Sequence, residues 1–429
     1  MGSLRSSAHD HDLGHLDDNS LARLPTRPPE ISTGPRPAVH DGPGSVLILF
    51  SDTGGGHRAA ARALEGALRT LEPDVRVDLC DPLIGQGRLV ARRLSSLYPT
   101  IIKRTPAGWG AIFHASNTAP SFAAIRAALH AQLRPVLRRA LRAGEPDVVL
   151  SVHPLLNHIT AAVLRREPRR RPLMTVVTDL VDIHRGWTSR AADLLVVPTE
   201  EAERAARRRG VSADRVRLLG MPVDLRFRPA EPGEPAAIRR RLGLDEVRPT
   251  VLVTGGGEGS GGLLDQVRAL SQRSHLWQVI AVCGRNERLR QRLLGLRFET
   301  PTLVLGFVDD MPDLLRAADL AVGKAGPGAI SEALATAVPL VLTSYLPGQE
   351  RGNVRYVTEA GVGRYTPRPD ALLGAVSELL CGDTCAYDDM RSRAAGLARP
   401  HAALDAAGAC LELAARSRGA YRAASQASR

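Results

Sequence analysis

Two stretches of this chain begin in the same way. SVLILFSDTGGGH (45–57) and TVLVTGGGEGSGG (250–262) each run an unbroken apolar segment into a cluster of glycines, and a helical pattern follows both. A short apolar run without polar alternation reads as a strand buried on both faces, hence a parallel one. The rhythm continues after each start. VRVDLCD (75–81), DVVLSVHP (147–154), LMTVVTDL (173–180), DLLVVPT (193–199) and VRLLGMPV (216–223) follow the first; WQVIAVCG, TLVLGFV, DLAVGKAG and PLVLTSY follow the second. Strands alternating with helices predict a doubly wound α/β fold. Two such halves predict two Rossmann-like domains facing a central cleft, with ligands at the carboxyl ends of the strands. The expected boundaries are a disordered leader over 1–42, a first domain over 43–228, a second over 229–413 and a frayed tail over 414–429.

Composition narrows the partners. The formal net charge is +12, carried almost wholly by arginine, since Lys103 and Lys324 are the only lysines. A basic balance favours nucleotide phosphates, anionic lipid or nucleic acid. Aromatic residues are only 3 % of the chain and no nucleic-acid-binding motif occurs, so nucleic acid is not expected. Cys80, Cys283, Cys381, Cys385 and Cys410 lack zinc-type spacing and read as thiols in a reducing compartment. No apolar run approaches the length of a membrane span, and the N-terminus lacks the apolar core of a signal peptide. The expectation is a cytoplasmic protein that meets the inner face of the cell membrane at its surface.

Three stretches carry chemistry. In SDTGGGHRAAARAL (51–64), Gly54, Gly56 and Ala59 fit G-x-G-x-x-A, with Asp78 or Asp81 at the distance of a ribose contact. GKAGPGAISEALATAVPLVL (323–342) opens a helix at Gly326, Pro327 and Gly328, whose free N–H groups suit a diphosphate. Glu332, one turn in, can accept both hydroxyls of a ribose. LPGQERGN (346–353) offers Gln349, Glu350 and Asn353, the groups a hexose needs. The Gly255–Gly262 loop, Gly255 and Gly256 foremost, and Arg285 can add backbone and charge contacts to phosphate. No D-x-D pair for a metal-bound nucleotide sugar occurs near Asp179, Asp182, Asp309 or Asp310. RLVARRLSSLYPTIIKRTPAGWGAIFHASN (88–117) interleaves Arg92, Arg93, Lys103 and Arg104 with Trp109 and Phe113, a pattern for an anionic phospholipid surface.

These motifs together, with SVHPLLNH, TVVTDL, VCGRN and GFVDDMPDLLRAADLAVGKAGPGAISEAL, resemble the monogalactosyldiacylglycerol synthase family in the same order along 45–410. More distantly the chain is similar to the lipid II-forming N-acetylglucosaminyltransferase and to processive diacylglycerol glucosyltransferases. The resemblance implies a GT-B fold and an inverting transfer of galactose or glucose from a UDP-sugar to diacylglycerol, with no catalytic metal and no cofactor beyond that co-substrate. It implies His57 as general base, Gly54, Gly55 and Gly56 beside the acceptor, and His153 near it. It also implies Phe307 and Val308 against the base of the nucleotide. LVDIHRGWTSRAAD (180–193) follows the family only in part. A GT-B enzyme acting on a soluble acceptor, or a sugar-nucleotide epimerase, stays open as the alternative.

Overall fold

The computed structural model describes residues 44–52, 55–84, 105–257, 259, 261–271, 276–382 and 384–427, all within one compact unit, Arg36–Arg429. The expected leader, Gly54, and Arg92, Arg93, Lys103 and Arg104 lie outside the described residues.

Two six-stranded sheets carry the fold. The first is built from β1 (Ser45–Leu49), β2 (Arg76–Cys80), β3 (Val148–Ser151), β4 (Leu173–Val176), β5 (Leu194–Val197) and β6 (Val216–Leu218), in the order β2-β1-β3-β4-β5-β6. The second is built from β7 (Thr250–Thr254), β8 (Gln278–Val282), β9 (Thr302–Leu305), β10 (Leu320–Lys324), β11 (Leu340–Ser344) and β12 (Gly363–Tyr365), in the order β12-β11-β10-β7-β8-β9. Every pairing is parallel.

The unbroken apolar runs are explained by cover on both faces. Along β1, Val46 and Ile48 pack with the helix Gly56–Leu71, while Leu47 and Leu49 pack with the helices Ala119–Gly144 and Asn157–Leu164. Along β7, Leu252 joins one core and Val251 and Val253 the other. With period-2 side chains, both sets must then be apolar. Strand order reverses between β1 and β3 and again between β7 and β10. Those two switch points open crevices at the strand carboxyl ends. His57 follows the first, and Gly255 and Gly326 flank the second.

The end of the chain departs from the sequence reading. In place of fraying after 413, one helix runs over Ala402–Ala427 and returns to the first sheet, not the second. Ala403, Ala406, Ala407, Cys410 and Ala414 are buried against Ala61, Leu64 and Leu68. Small side chains at every third or fourth position let this helix lie close to its neighbour. Arg418 then reaches Asp147, which also accepts from Arg169 and from the Ser45 main chain.

Candidate active site

One cavity of about 680 Å³ lies between the two sheets, a size suited to a nucleotide sugar. From the first half it is lined by Gly55, Gly56, His57, Thr178 and Asp179. From the second it is lined by Gly255, Gly256, Arg285, Phe307, Val308, Gly326, Pro327, Gly328, Glu332, Gln349 and Glu350. Eleven of the twelve expected donor-side residues therefore share one space with His57.

His57 sits in the first turn of the helix Gly56–Leu71. That helix starts at Gly55 with φ of 87° and no capping side chain. The left-handed backbone there suits glycine, and it turns the helix N-terminus into the cavity. His57 Nδ1 lies 3.0 Å from Thr178 Oγ1, and the Val152 main chain also bonds the ring. Burial pushes the imidazole down to about 4, so it is neutral near pH 7 and able to accept a proton. His153 stands behind it, 4 % exposed, with ring centroids 4.7 Å apart in an edge contact. It does not line the cavity; it packs behind His57. Burial and the neighbouring His57 and His184 hold His153 well below the usual imidazole range.

The second half presents a helix start. Gly326 precedes the helix Pro327–Ala335 without a capping side chain, with proline in the first turn, so the N–H groups of that turn point into open space. An anion placed there gains from the helix dipole as well. Glu332 lies on the cavity side. Burial, and secondarily the charge of Asp224, push its carboxyl up to about 7. Opposite, the glycine loop after β7 packs on the turn after β8. A Cβ on Gly284, whose φ is +57°, would come within 2.6 Å of the Gly257 carbonyl oxygen. Arg285 follows, its guanidinium 4.4 Å from the centre of the Phe307 ring. Phe307 is 51 % exposed, an apolar plate facing the cavity mouth.

The loop before the helix Arg351–Glu359 corrects part of the expectation. Glu350 is buried and already engaged: one oxygen pairs with Lys324 and the other accepts from the Leu346 main chain at 2.7 Å. It shapes the loop and holds Lys324 at the cavity edge. Asn353 is 1 % exposed, donates to the Ala325 carbonyl at 2.9 Å, and does not line the cavity. Its amide nitrogen ties two loops together behind the cavity wall. Gln349 does face the cavity, and it donates to Asp179 of the other half at 3.0 Å.

Phe113, expected at a membrane, is buried instead. It packs edge-on to His184, and its Cβ approaches Gly348 in the joint between the halves. Among the described side chains of that helix, Pro106–Ser116, the exposed large apolar one is Ile112; Trp109 is half-buried. Two residues that the sequence reading left without a role line the cavity, Thr178 and Asp179, and the buried Trp187 donates to Asp179 from behind. The signal was a polar Thr-Asp pair directly after the apolar run of β4. Among the described residues no group of three or more His, Cys, Asp or Glu side chains is placed to hold a metal ion.

Two facing Rossmann-like halves, with the candidate site at both switch points, define the GT-B fold. Solved structures of that architecture overlay on it. Acinetobacter baumannii MurG covers 86 % of this chain and all of its own, with a TM-score of 0.58 and 16 % identity. A UDP-glucosyltransferase from Polygonum tinctorium covers 87 % and 99 %, with a TM-score of 0.57 and 14 % identity. The family model for monogalactosyldiacylglycerol (MGDG) synthase matches residues 57–223, and that for the glycosyltransferase family 28 C-terminal domain matches 250–392. Monogalactosyldiacylglycerol synthase 1 of Arabidopsis thaliana is 32 % identical over 373 residues, 84 % of this chain and 69 % of that one. A probable monogalactosyldiacylglycerol synthase of Glycine max is 32 % identical over 371 residues, with the same two coverages. The chain belongs to the monogalactosyldiacylglycerol synthase family and is a hexosyltransferase that uses a UDP-sugar. Both relatives are named as chloroplastic, which overturns the expected location at the inner face of a cell membrane.

Proposed function

We propose that this enzyme moves galactose from UDP-galactose to the free hydroxyl of diacylglycerol, with inversion at the sugar and without a metal ion. The observation that carries the reading is that His57, at one helix start, and Glu332, one turn into another, border a single cavity.

In this reading the diphosphate rests on the uncapped start of Pro327–Ala335, with Lys324, Arg285 and the glycine loop around it. Glu332 accepts the ribose hydroxyls, and Phe307 and Val308 flank the base. The acceptor hydroxyl enters beside Gly55 and Gly56 and meets His57. Its oxygen bonds to the anomeric carbon as the bond from that carbon to the phosphate oxygen breaks. The hydroxyl proton passes to His57, and UDP leaves. Negative charge grows on the diphosphate where helix dipole and cations already point. That charge also raises the proton affinity of the nearby imidazole at the moment it must accept. Fixed dipoles and cations here do what a divalent ion does in metal-dependent transferases.

We infer also that the enzyme works on an anionic phospholipid surface. The support is the +12 charge and the basic–apolar sequence of 88–104 that leads into Pro106–Ser116 with its exposed Ile112. The test is a liposome assay with labelled UDP-galactose and UDP-glucose, with and without diacylglycerol and anionic lipid. A labelled galactolipid that forms only with diacylglycerol is expected. Absence of lipid product from either donor would end the proposal. Turnover unaffected by anionic lipid would remove the surface requirement alone.

A further inference from the structure

We propose that Asp179 is a positioning residue for the donor sugar: it accepts the amide N–H of Gln349 across the cleft and so turns the Gln349 carbonyl oxygen toward the cavity, where a hydroxyl of the transferred hexose donates to it. The proposal rests on reading the cavity as the UDP-hexose site, and it names how that site orients its sugar.

The geometry is specific. Asp179 stands just past the end of β4, is buried, and shares the cavity wall with Thr178, which bonds His57. Its Oδ2 accepts from the Trp187 indole Nε1 at 2.6 Å, its Oδ1 from Gln349 Nε2 at 3.0 Å, and the His184 main chain adds a third donor. Burial raises the carboxyl above its ordinary range, and these hydrogen bonds, which favour the ionised form, offset part of that rise. A carboxylate only accepts and an indole only donates. Gln349 must therefore give Asp179 its NH2 end, and the carbonyl end is left for the cavity. The bond spans 170 residues of sequence and both halves of the molecule. A second cross-cleft bond, from the Gly352 main chain to Asp182 Oδ2 at 2.8 Å, keeps the loop seated beside it. Consecutive residues Thr178 and Asp179 thus fix the base on one side and the sugar contact on the other.

The polarity argument supplies its own test. In Asp179→Asn the oxygen must stay on the Trp187 N–H, so the new NH2 faces Gln349 and forces its amide to reverse. The cavity then meets a donor where it had an acceptor. We expect kcat/KM for the UDP-hexose to fall about tenfold, the scale of one misdirected hydrogen bond, while calorimetric affinity for UDP, which carries no sugar, stays within twofold. Gln349→Glu alone sets two carboxylates face to face and should lose more. The double variant Asp179→Asn with Gln349→Glu restores the pairing, because the amide introduced at position 179 donates to the carboxylate introduced at position 349 and leaves an acceptor oxygen facing the sugar. It should recover kcat/KM to within about threefold of the unaltered enzyme, a coupling that merely lost packing cannot give. Gln349→Met, which leaves Asp179 and Trp187 in place, should show the same sugar-specific loss and serves if Asp179→Asn fails to fold. Normal kcat/KM in Asp179→Asn or in Gln349→Met, or a double variant no better than Asp179→Asn, would overturn the proposal. If the unaltered enzyme neither binds UDP nor transfers a hexose, the reading of the cavity fails and this assignment with it; transfer in the unaltered enzyme with no effect of the substitutions sinks the assignment alone.

Discussion

Glu332 makes the strongest demand on experiment, because its two tasks conflict. In the empty cavity burial and Asp224 raise its carboxyl to about 7. To accept two ribose hydroxyls it must be ionised, since a protonated carboxyl offers one donor where two acceptors are needed. Nucleotide binding and proton loss are therefore linked. Below pH 7 each unit removes about a tenfold share of the ionised form, or about 1.4 kcal/mol of binding free energy. Affinity for UDP-galactose should thus rise about tenfold from pH 6 to pH 7.5 and level off above it. The esterified diphosphate of UDP-galactose has no ionisation in that range, whereas the terminal phosphate of UDP does, near pH 6. Calorimetry with UDP-galactose and no acceptor, from pH 5.5 to 8.5, reads the slope directly. Glu332→Gln should flatten it and lower affinity at pH 8 by about 10–100-fold, the range for hydrogen bonds to a charged group. Stability moves the other way. A carboxyl raised from 4.5 to about 7 in the fold adds stability below pH 4.5 that is lost as pH rises through 7. The ligand-free Glu332→Gln protein should therefore resist urea better than the unaltered one at pH 8, by up to about 3 kcal/mol. A pH slope that persists in Glu332→Gln would refute the ribose assignment and the linkage together.

Four further perturbations test other parts of the molecule. His57→Ala should cut turnover about 10²–10⁴-fold while UDP binding persists, and in Glu332→Gln enzyme, where the limb near 7 is gone, the remaining acid limb of kcat/KM should fall near pH 4, not 6.5; turnover near normal in His57→Ala would remove the base. His57 and His153 also bind fewer protons folded than unfolded, so stability present above pH 6.5 should be lost on acidification toward 4, seen as a lower urea midpoint at pH 5 than at pH 7. Gly284→Ala places a Cβ against the Gly257 carbonyl at a left-handed position, costing about 1–2 kcal/mol from backbone conformation alone; a lower melting temperature and weaker UDP affinity are expected, and unchanged affinity would show that the glycine loop does not touch the nucleotide. Ending the chain after Leu413 removes the buried Ala414 and the Arg418–Asp147 pair and should lower the melting temperature of the first half; an unaltered melting curve would return 414–429 to the status of a loose tail.

The strands and both glycine turns were legible in the sequence because a strand covered on two faces needs apolar residues at consecutive positions, and VLIL and VLV leave no other economical reading. Helix starts were legible for a similar local reason, since glycine and proline mark them. What stayed hidden depends on residues far apart in sequence. Thr178 meets His57 across 121 residues and Gln349 meets Asp179 across 170, so no local window holds either pair. Phe113 and Asn353 looked available by residue type, and only the packing of one half against the other, and of two loops together, buries them. The last helix escaped because AALDAAGAC has little apolar contrast; its alanines pack by close approach, which hydrophobic patterning does not register. Charge was the least legible property of all. Ordinary values make His57 partly charged and Glu332 fully charged near neutrality, yet the cleft drives the first down and the second up. The ligand-free cavity thus holds a neutral imidazole and a half-neutral carboxyl, and under the proposed assignment each reaches its working charge only as the substrate supplies the compensating group: hydroxyl donors for the carboxylate, diphosphate charge for the imidazolium. Burial in a shared cleft, which no single motif encodes, therefore ties proton affinity to occupancy in both halves of the enzyme.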